Sequence, residues 1–195
     1  MPQLIVVVGG AGAGKTTIAK ALARKRKLAF LDMDTLLRPA AVSLMTHQGL
    51  DPNDRDSAEY KRLCRDLGYR ITMDAALENV TVGTDAIVIG PFTKETEQPQ
   101  WLEDELTKAC LSRADVDVKV ICVYLADEET YRARFEARSS ELDRWKLEHW
   151  EQFKTSLGRR EIRWQLGADS ILYMDNSGPF TEGRLAMLER FLDGG

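Results

Sequence analysis

Five short apolar runs punctuate the chain, at residues 4–8, 28–31, 86–89, 118–125 and 170–174. Strands covered on both faces of a parallel sheet read this way, as brief and nearly continuous hydrophobic stretches. Helical patterns lie between them, and this alternation predicts right-handed βαβ units in a three-layer α/β sandwich with a five-stranded parallel sheet. The stretch 35–84 is too long for one crossover helix. A polar break, Gly-Leu-Asp-Pro-Asn-Asp-Arg-Asp-Ser, interrupts it at 49–57, and a helical pattern resumes over about 58–79. A second insertion, about 138–163, is rich in charge and tryptophan. We read 1–195 as a single domain carrying these two inserted segments.

The first run is followed by Gly9-Gly10-Ala11-Gly12-Ala13-Gly14-Lys15-Thr16 and then by the helix-forming Thr17-Ile18-Ala19-Lys20-Ala21-Leu22-Ala23. This is G-x-x-x-x-G-K-T in its strand–loop–helix setting. Glycines let a backbone wrap around phosphate oxygens so that successive N–H groups form an anion nest, and the following helix adds its positive end. We therefore expect Gly10, Ala11, Gly12, Ala13, Gly14, Lys15, Thr16 and Thr17 to hold the phosphates of ATP. Lys15 would reach the β- and γ-phosphates, and the Thr16 hydroxyl would ligate magnesium.

Composition narrows this picture. The net charge is −4, which gives no general attraction to nucleic acid or to an anionic membrane. The basic run Arg24-Lys25-Arg26-Lys27 falls where the first helix should end, and cations there offset the helix dipole. No apolar run approaches membrane-spanning length. The three cysteines, Cys64, Cys110 and Cys122, suggest neither zinc nor a disulfide framework. His47 and His149 have no metal-spaced partners. With the chain entering a strand directly after Met-Pro-Gln, a reducing cytoplasm is the expected home.

The second run leads into Asp32-Met33-Asp34. Strand alternation would put both carboxylates on one side, at the carboxyl end of a parallel strand where open α/β sheets bind ligands. One carboxylate would hold magnesium and the other would accept a proton from an attacking hydroxyl, the division of labour that phosphoryl transfer to an alcohol requires. The P-loop together with this pair resembles the shikimate kinase and gluconate kinase group of the nucleoside-monophosphate-kinase-like P-loop kinases. The resemblance implies strand order 2-3-1-4-5, a substrate-binding segment at about 35–84 and a lid at about 138–163. It makes Asp34 the base that contacts the acceptor hydroxyl and Asp32 the magnesium-side residue. Polynucleotide kinases and zeta-type toxins also place an aspartate here with an arginine shortly after it, a role that would fall to Arg38.

A wider likeness runs through Asp54-Arg55-Asp56-Ser57, through Tyr69-Arg70-Ile71-Thr72-Met73-Asp74-Ala75-Ala76-Leu77-Glu78-Asn79, and through Gly90-Pro91-Phe92-Thr93-Lys94-Glu95. These segments resemble small bacterial P-loop proteins usually described only as AAA-family ATPases or predicted kinases. The third strand ends Ile89-Gly90-Pro91-Phe92 without the acid that motor ATPases place there, and GTPase signatures are missing. Gly90 would let a substrate approach the backbone, with Phe92 beside it. Within this likeness Arg70 matches a substrate arginine, while Arg62 and Arg65 read as an exposed helix face.

A transferring phosphoryl group needs cations besides magnesium. Arg134 and Arg138 share a helix face and lead into the lid. Arg138 and Arg144 are the first candidates for catalysis, followed by Arg134, as a nucleotide contact, and Arg132. Trp145, Trp150 and Phe153 read as lid packing and Trp101 as core. In the related kinases the turn at Asp175-Asn176-Ser177-Gly178-Pro179 lies beside the adenine ring. The expected activity is transfer of the γ-phosphoryl group of Mg-ATP to a hydroxyl of a sugar, cyclitol, nucleoside or antibiotic. The alternatives are a nucleotide or polynucleotide 5′-hydroxyl kinase, a non-catalytic ATP-binding switch and a slow ATPase.

Overall fold

The computed structural model describes residues 1–138 and 143–194. Its sheet is built from β1 (Gln3–Val8), β2 (Ala29–Asp32), β3 (Ala86–Ile89), β4 (Asp117–Tyr124) and β5 (Ile171–Asp175). All neighbours pair in parallel, in the order β2-β3-β1-β4-β5, as expected. The register sets Val7 opposite Ile89 and Asp32 opposite Ile89, so the carboxyl ends of β1, β2 and β3 meet along one rim.

Alternation along β1 divides the core. Leu4, Val6 and Val8 face one apolar cluster with Val88, Val118 and Val120, covered by α3 (Ala58–Thr81) and α4 (Trp101–Lys108). Ile5 and Val7 face the other with Ile87, Ile121 and Val123, covered by α1 (Lys15–Arg26) and α8 (Glu182–Leu192). Because β1 is buried on both faces, truncating Ile5 or Leu4 to Ala would cost about 2–5 kcal/mol.

The segment between β2 and β3 forms α2 (Met33–His47) and α3, with the polar break between them. Leu37, Ala41 and Met45 of α2 meet Tyr60 and Cys64 of α3 in a third cluster, so this helical pair has a small core of its own. Ser57 caps α3, its side chain accepting from the Tyr60 N–H at 3.1 Å. Beyond β4 come α5 (Glu128–Arg138), α6 (Arg144–Glu148) and α7 (Trp150–Phe153). Trp150 and Phe153 pack edge-on and tilted around Phe135, which ties α7 to α5. Residues 139–142 of the expected lid lie outside the described residues. Among the described residues no helix is long and apolar enough to cross a membrane.

Candidate active site

The chain leaves β1 through a loop in which Gly9 and Gly14 have no room for a side chain. At Gly9, φ is +141° and a Cβ would stand 2.1 Å from the Val123 carbonyl oxygen. At Gly14, φ is +95° and a Cβ would stand 2.3 Å from Asn176 Nδ2. The loop is stitched to the far side of the sheet. The Ala13 carbonyl accepts from Asn176 Nδ2 at 2.9 Å and from Arg134 Nη1 at 3.3 Å, while Arg134 Nη2 donates to the Asn176 carbonyl. Arg134 thus reaches the P-loop. Helix α1 begins at Lys15 with no acidic residue in its first turn, which leaves its positive end open to an anion.

Lys15 Nζ donates to the carbonyls of Gly9 and Gly10 at 2.9 and 2.8 Å. Burial lowers its pKa from 10.5 to about 8, opposed by the negative charges of Asp34 and Asp32 and reinforced by the positive charges of Arg160 and Arg138. Four charged side chains from three separate segments therefore act at one point, the P-loop ammonium.

Asp32 and Asp34 come together by a different device from the one expected. The strand stops at Asp32 and α2 starts at Met33, so the pair does not share a pleat. Asp32 is the helix cap, and its carboxylate accepts the Asp34 N–H at 3.1 Å. Capping satisfies a first-turn donor and sets both acids at the positive end of α2. Burial raises the Asp32 carboxyl above its ordinary range, and the neighbouring Asp34 adds to the effect. Asp34 is three-quarters exposed and faces Arg55 Nη1 at 3.8 Å. Arg55, a residue that sequence reasoning passed over, comes from the polar break. Arg38 stands on α2, one turn beyond Asp34. It holds that loop, donating to the Pro52 carbonyl at 2.6 Å and to Asn53 Oδ1 at 2.7 Å.

Three residues expected at the substrate, Phe92, Gly90 and Arg70, have protein partners in the structure. Phe92 is fully buried, so its ring belongs to the core. It packs against Tyr69, Trp101 and Trp164 with φ at +45°, and its N–H donates to the Tyr69 hydroxyl at 2.8 Å. A left-handed aromatic residue is strained and needs such surroundings to persist. Gly90 makes room for that ring, since a Cβ there would meet Phe92 Cε2 at 2.9 Å. Arg70 reaches toward α4, where it pairs with the buried Glu105 at 2.8 Å, and along its own helix to Asp74 at 2.5 Å.

Arg65, read as exposed, is instead three-quarters buried and gives two hydrogen bonds to the buried Glu95, at 2.7 and 2.9 Å. The Glu95 carbonyl accepts from Trp164 Nε1 at 2.8 Å, and Arg163 N–H donates to the Thr96 carbonyl at 2.9 Å. The turn, α3 and the segment returning from the lid are thereby pinned together. A cleft of about 360 Å³ opens between that turn and that segment, lined by Thr93, Thr96, Thr155, Ser156, Arg160 and Arg163 among others.

Among the lid arginines, Arg138 acts on Lys15 but is also held by Asp143, through Nε at 2.7 Å and Nη2 at 2.6 Å. Arg144 opens α6 and is exposed. Arg160 was missed. It lies beyond α7, adds positive charge at Lys15, and its Nε is buried without a partner among the described residues. Its only signal was membership of the pair Arg159-Arg160 in a charged tract.

This rim, with a P-loop after β1 and an aspartate pair at the junction of β2 and α2, defines the class: a P-loop nucleotide-binding fold of the kinase type. Residues 4–159 match a family model described as an AAA domain, and the chain belongs to that family. A gluconokinase of Gluconobacter oxydans is 32% identical over 105 residues, 54% of each chain. The chain spans between 12% and 54% of the length of the curated relatives it matches. A structure described as a putative kinase from Chloroflexus aurantiacus superposes with TM-score 0.66 at 18% identity, covering 100% of this chain and 97% of that one. A shikimate kinase from Bacteroides thetaiotaomicron does so with TM-score 0.52 at 16% identity, covering 98% of both. The curated relatives include kinases and these neighbours are described as kinases, and at such identities the structural neighbours establish the fold.

Proposed function

We propose that the protein transfers the γ-phosphoryl group of Mg-ATP to a hydroxyl of a small molecule. The observation that carries this reading is the convergence of Asp34, Asp32, Arg160 and Arg138 on Lys15. A site that merely stores nucleotide needs cations around the phosphates; a carboxylate facing the P-loop lysine suits an incoming hydroxyl. In this reading residues 10–17 cradle the phosphates and Arg134 supports the nucleotide side. Asp34 orients the acceptor and takes its proton. Arg138 and Arg160 neutralise the charge on the transferring group, an effect worth about 10²–10³ in rate for each well-placed donor.

The donor set also fits magnesium carried on ATP. The raised Asp32 carboxyl sits beside a second acid, and a divalent cation would relieve that repulsion. Thr16 and Asp32 would hold the ion, which supplies charge neutralisation at the phosphates. The cleft beside Arg160, lined by hydroxyls and guanidinium groups, suits a polar acceptor such as a sugar, cyclitol, nucleoside or antibiotic.

The test is ADP release from Mg-ATP against a panel of these four acceptor classes, with Asp34→Asn alongside. Release that depends on one acceptor and falls by about 10²-fold or more in the variant supports the reading. Release that ignores every acceptor and survives the substitution refutes it.

A further inference from the structure

A line of alternating charge joins the acceptor side of the site to the lid. Asp34 faces Arg55 at 3.8 Å. The next residue, Asp56, faces Lys146 of α6 at 3.7 Å. Lys146 also reaches Asp143 at 3.2 Å, and Asp143 takes Arg138 at 2.6–2.7 Å. Both ends of the line, Asp34 and Arg138, act on Lys15. We infer that Asp56, Lys146 and Asp143 are positioning residues that transmit the state of the acceptor-side loop to Arg138. The inference rests on the reading of Asp34 and Arg138 as parts of a phosphotransfer site.

Burial makes the inner links firm. The Asp143 side chain is only 3% exposed, and a carboxylate so far from water must be compensated. Arg138 and Lys146 supply that compensation. Asp143 grips one edge of the guanidinium, through Nε and Nη2. The Lys146 side chain is itself 15% exposed, so it too is held among neighbours.

The outer links differ in kind. At 3.7 and 3.8 Å they are ion pairs too long for hydrogen bonds, so a small displacement tightens or breaks them. The loop between them is stiff. Arg38 fastens Pro52 and Asn53, and Ser57 donates to the Asp54 carbonyl while capping α3. A hydroxyl arriving at Asp34 competes for the carboxylate that Arg55 faces. Movement of Arg55 then carries Asp56 with it, and through Lys146 the displacement reaches the residue that orients Arg138.

Amide hydrogen exchange of the nucleotide-free, full-length protein tests the line without knowledge of the acceptor. Asp56→Asn and Lys146→Met should each raise exchange in 144–153 and in 134–138 by about threefold or more. The double variant should do no more than either single one, because the two side chains act as a pair. Lys146→Arg and the charge-swapped Asp56→Lys/Lys146→Asp protein should restore protection. Unchanged exchange in Asp56→Asn, or additive effects, would overturn the pairing. A response confined to 144–153 would overturn the link to Arg138. Failure of the phosphotransfer reading registers elsewhere, as the absence of acceptor-dependent ADP release from the unmodified protein.

Discussion

The two sides of the rim are built on different principles. The phosphate side draws its binding groups from one stretch, residues 9–17, with one loop, two tightly placed glycines and the start of one helix, while Arg134 and Asn176 brace the loop from behind. The acceptor side is assembled from distant pieces. Arg65 meets Glu95, Arg55 meets Asp34, Trp164 meets the Glu95 carbonyl and Lys146 meets Asp56. A backbone nest can accept any polyphosphate, whereas a surface made of long-range ion pairs can change its ligand by changing one side chain. The nucleotide half therefore reads as general machinery and the acceptor half as the seat of specificity.

The largest expected effect breaks the local half. Gly14→Ala places a Cβ against the Asn176 amide on a backbone with φ at +95°. Mg-ATP affinity should fall by about 100-fold or more, read by calorimetry, because the nest must distort. The next breaks the long-range half. Arg65→Met leaves the Glu95 carboxylate, itself 7% exposed, without its cation. Urea unfolding should show a loss of about 3 kcal/mol, with ATP affinity nearly retained in the protein that remains folded. The pairing of the two effects sharpens the comparison: Gly14→Ala, though strained, loses chiefly nucleotide affinity, and Arg65→Met loses chiefly stability.

A smaller effect concerns the lysine where the halves meet. Its pKa in the folded protein, about 8, lies below the ordinary 10.5. The unfolded chain binds the extra proton between these values, so the stability of the nucleotide-free protein should rise with pH across that window. The penalty is fully present below pH 8. Phosphate restores the charge, so Mg-ATP binding at pH 9 should take up most of a proton and at pH 6.5 almost none. Calorimetry in buffers of different ionisation heat measures this directly, and equal heats in all buffers at pH 9 would refute it.

The same contrast explains how much was legible in the sequence. The five strands follow from apolar runs, and the P-loop from a motif whose chemistry is contained in eight residues, so both could be read. Asp32 and Asp34 were found as a pair, but the device was misread, because a cap and a pleat bring residues two apart together equally well. Tyr69 and Arg70 show why side-chain roles were harder. Neighbours on a helix point about 100° apart. With Tyr69 directed at Phe92, Arg70 must face α4 and Glu105. No composition or spacing within α3 reveals which of the two meets the rim. Arg160 and Arg55 escaped for a related reason: their partners, Lys15 and Asp34, lie far off along the chain or across a loop with no repeating pattern.

In the proposed mechanism the halves are separable in function and meet at Lys15 and Asp34. The decisive comparison is the Mg-ATP affinity of Asp34→Asn beside that of the unmodified protein, together with ADP release in the presence of the acceptor found by the panel. Affinity should stay within about threefold, while acceptor-dependent release should fall by about 10²-fold or more. A parallel collapse of affinity and release would contradict the mechanism, because Asp34 would then belong to the nucleotide site, and so would acceptor-dependent release that survives the substitution.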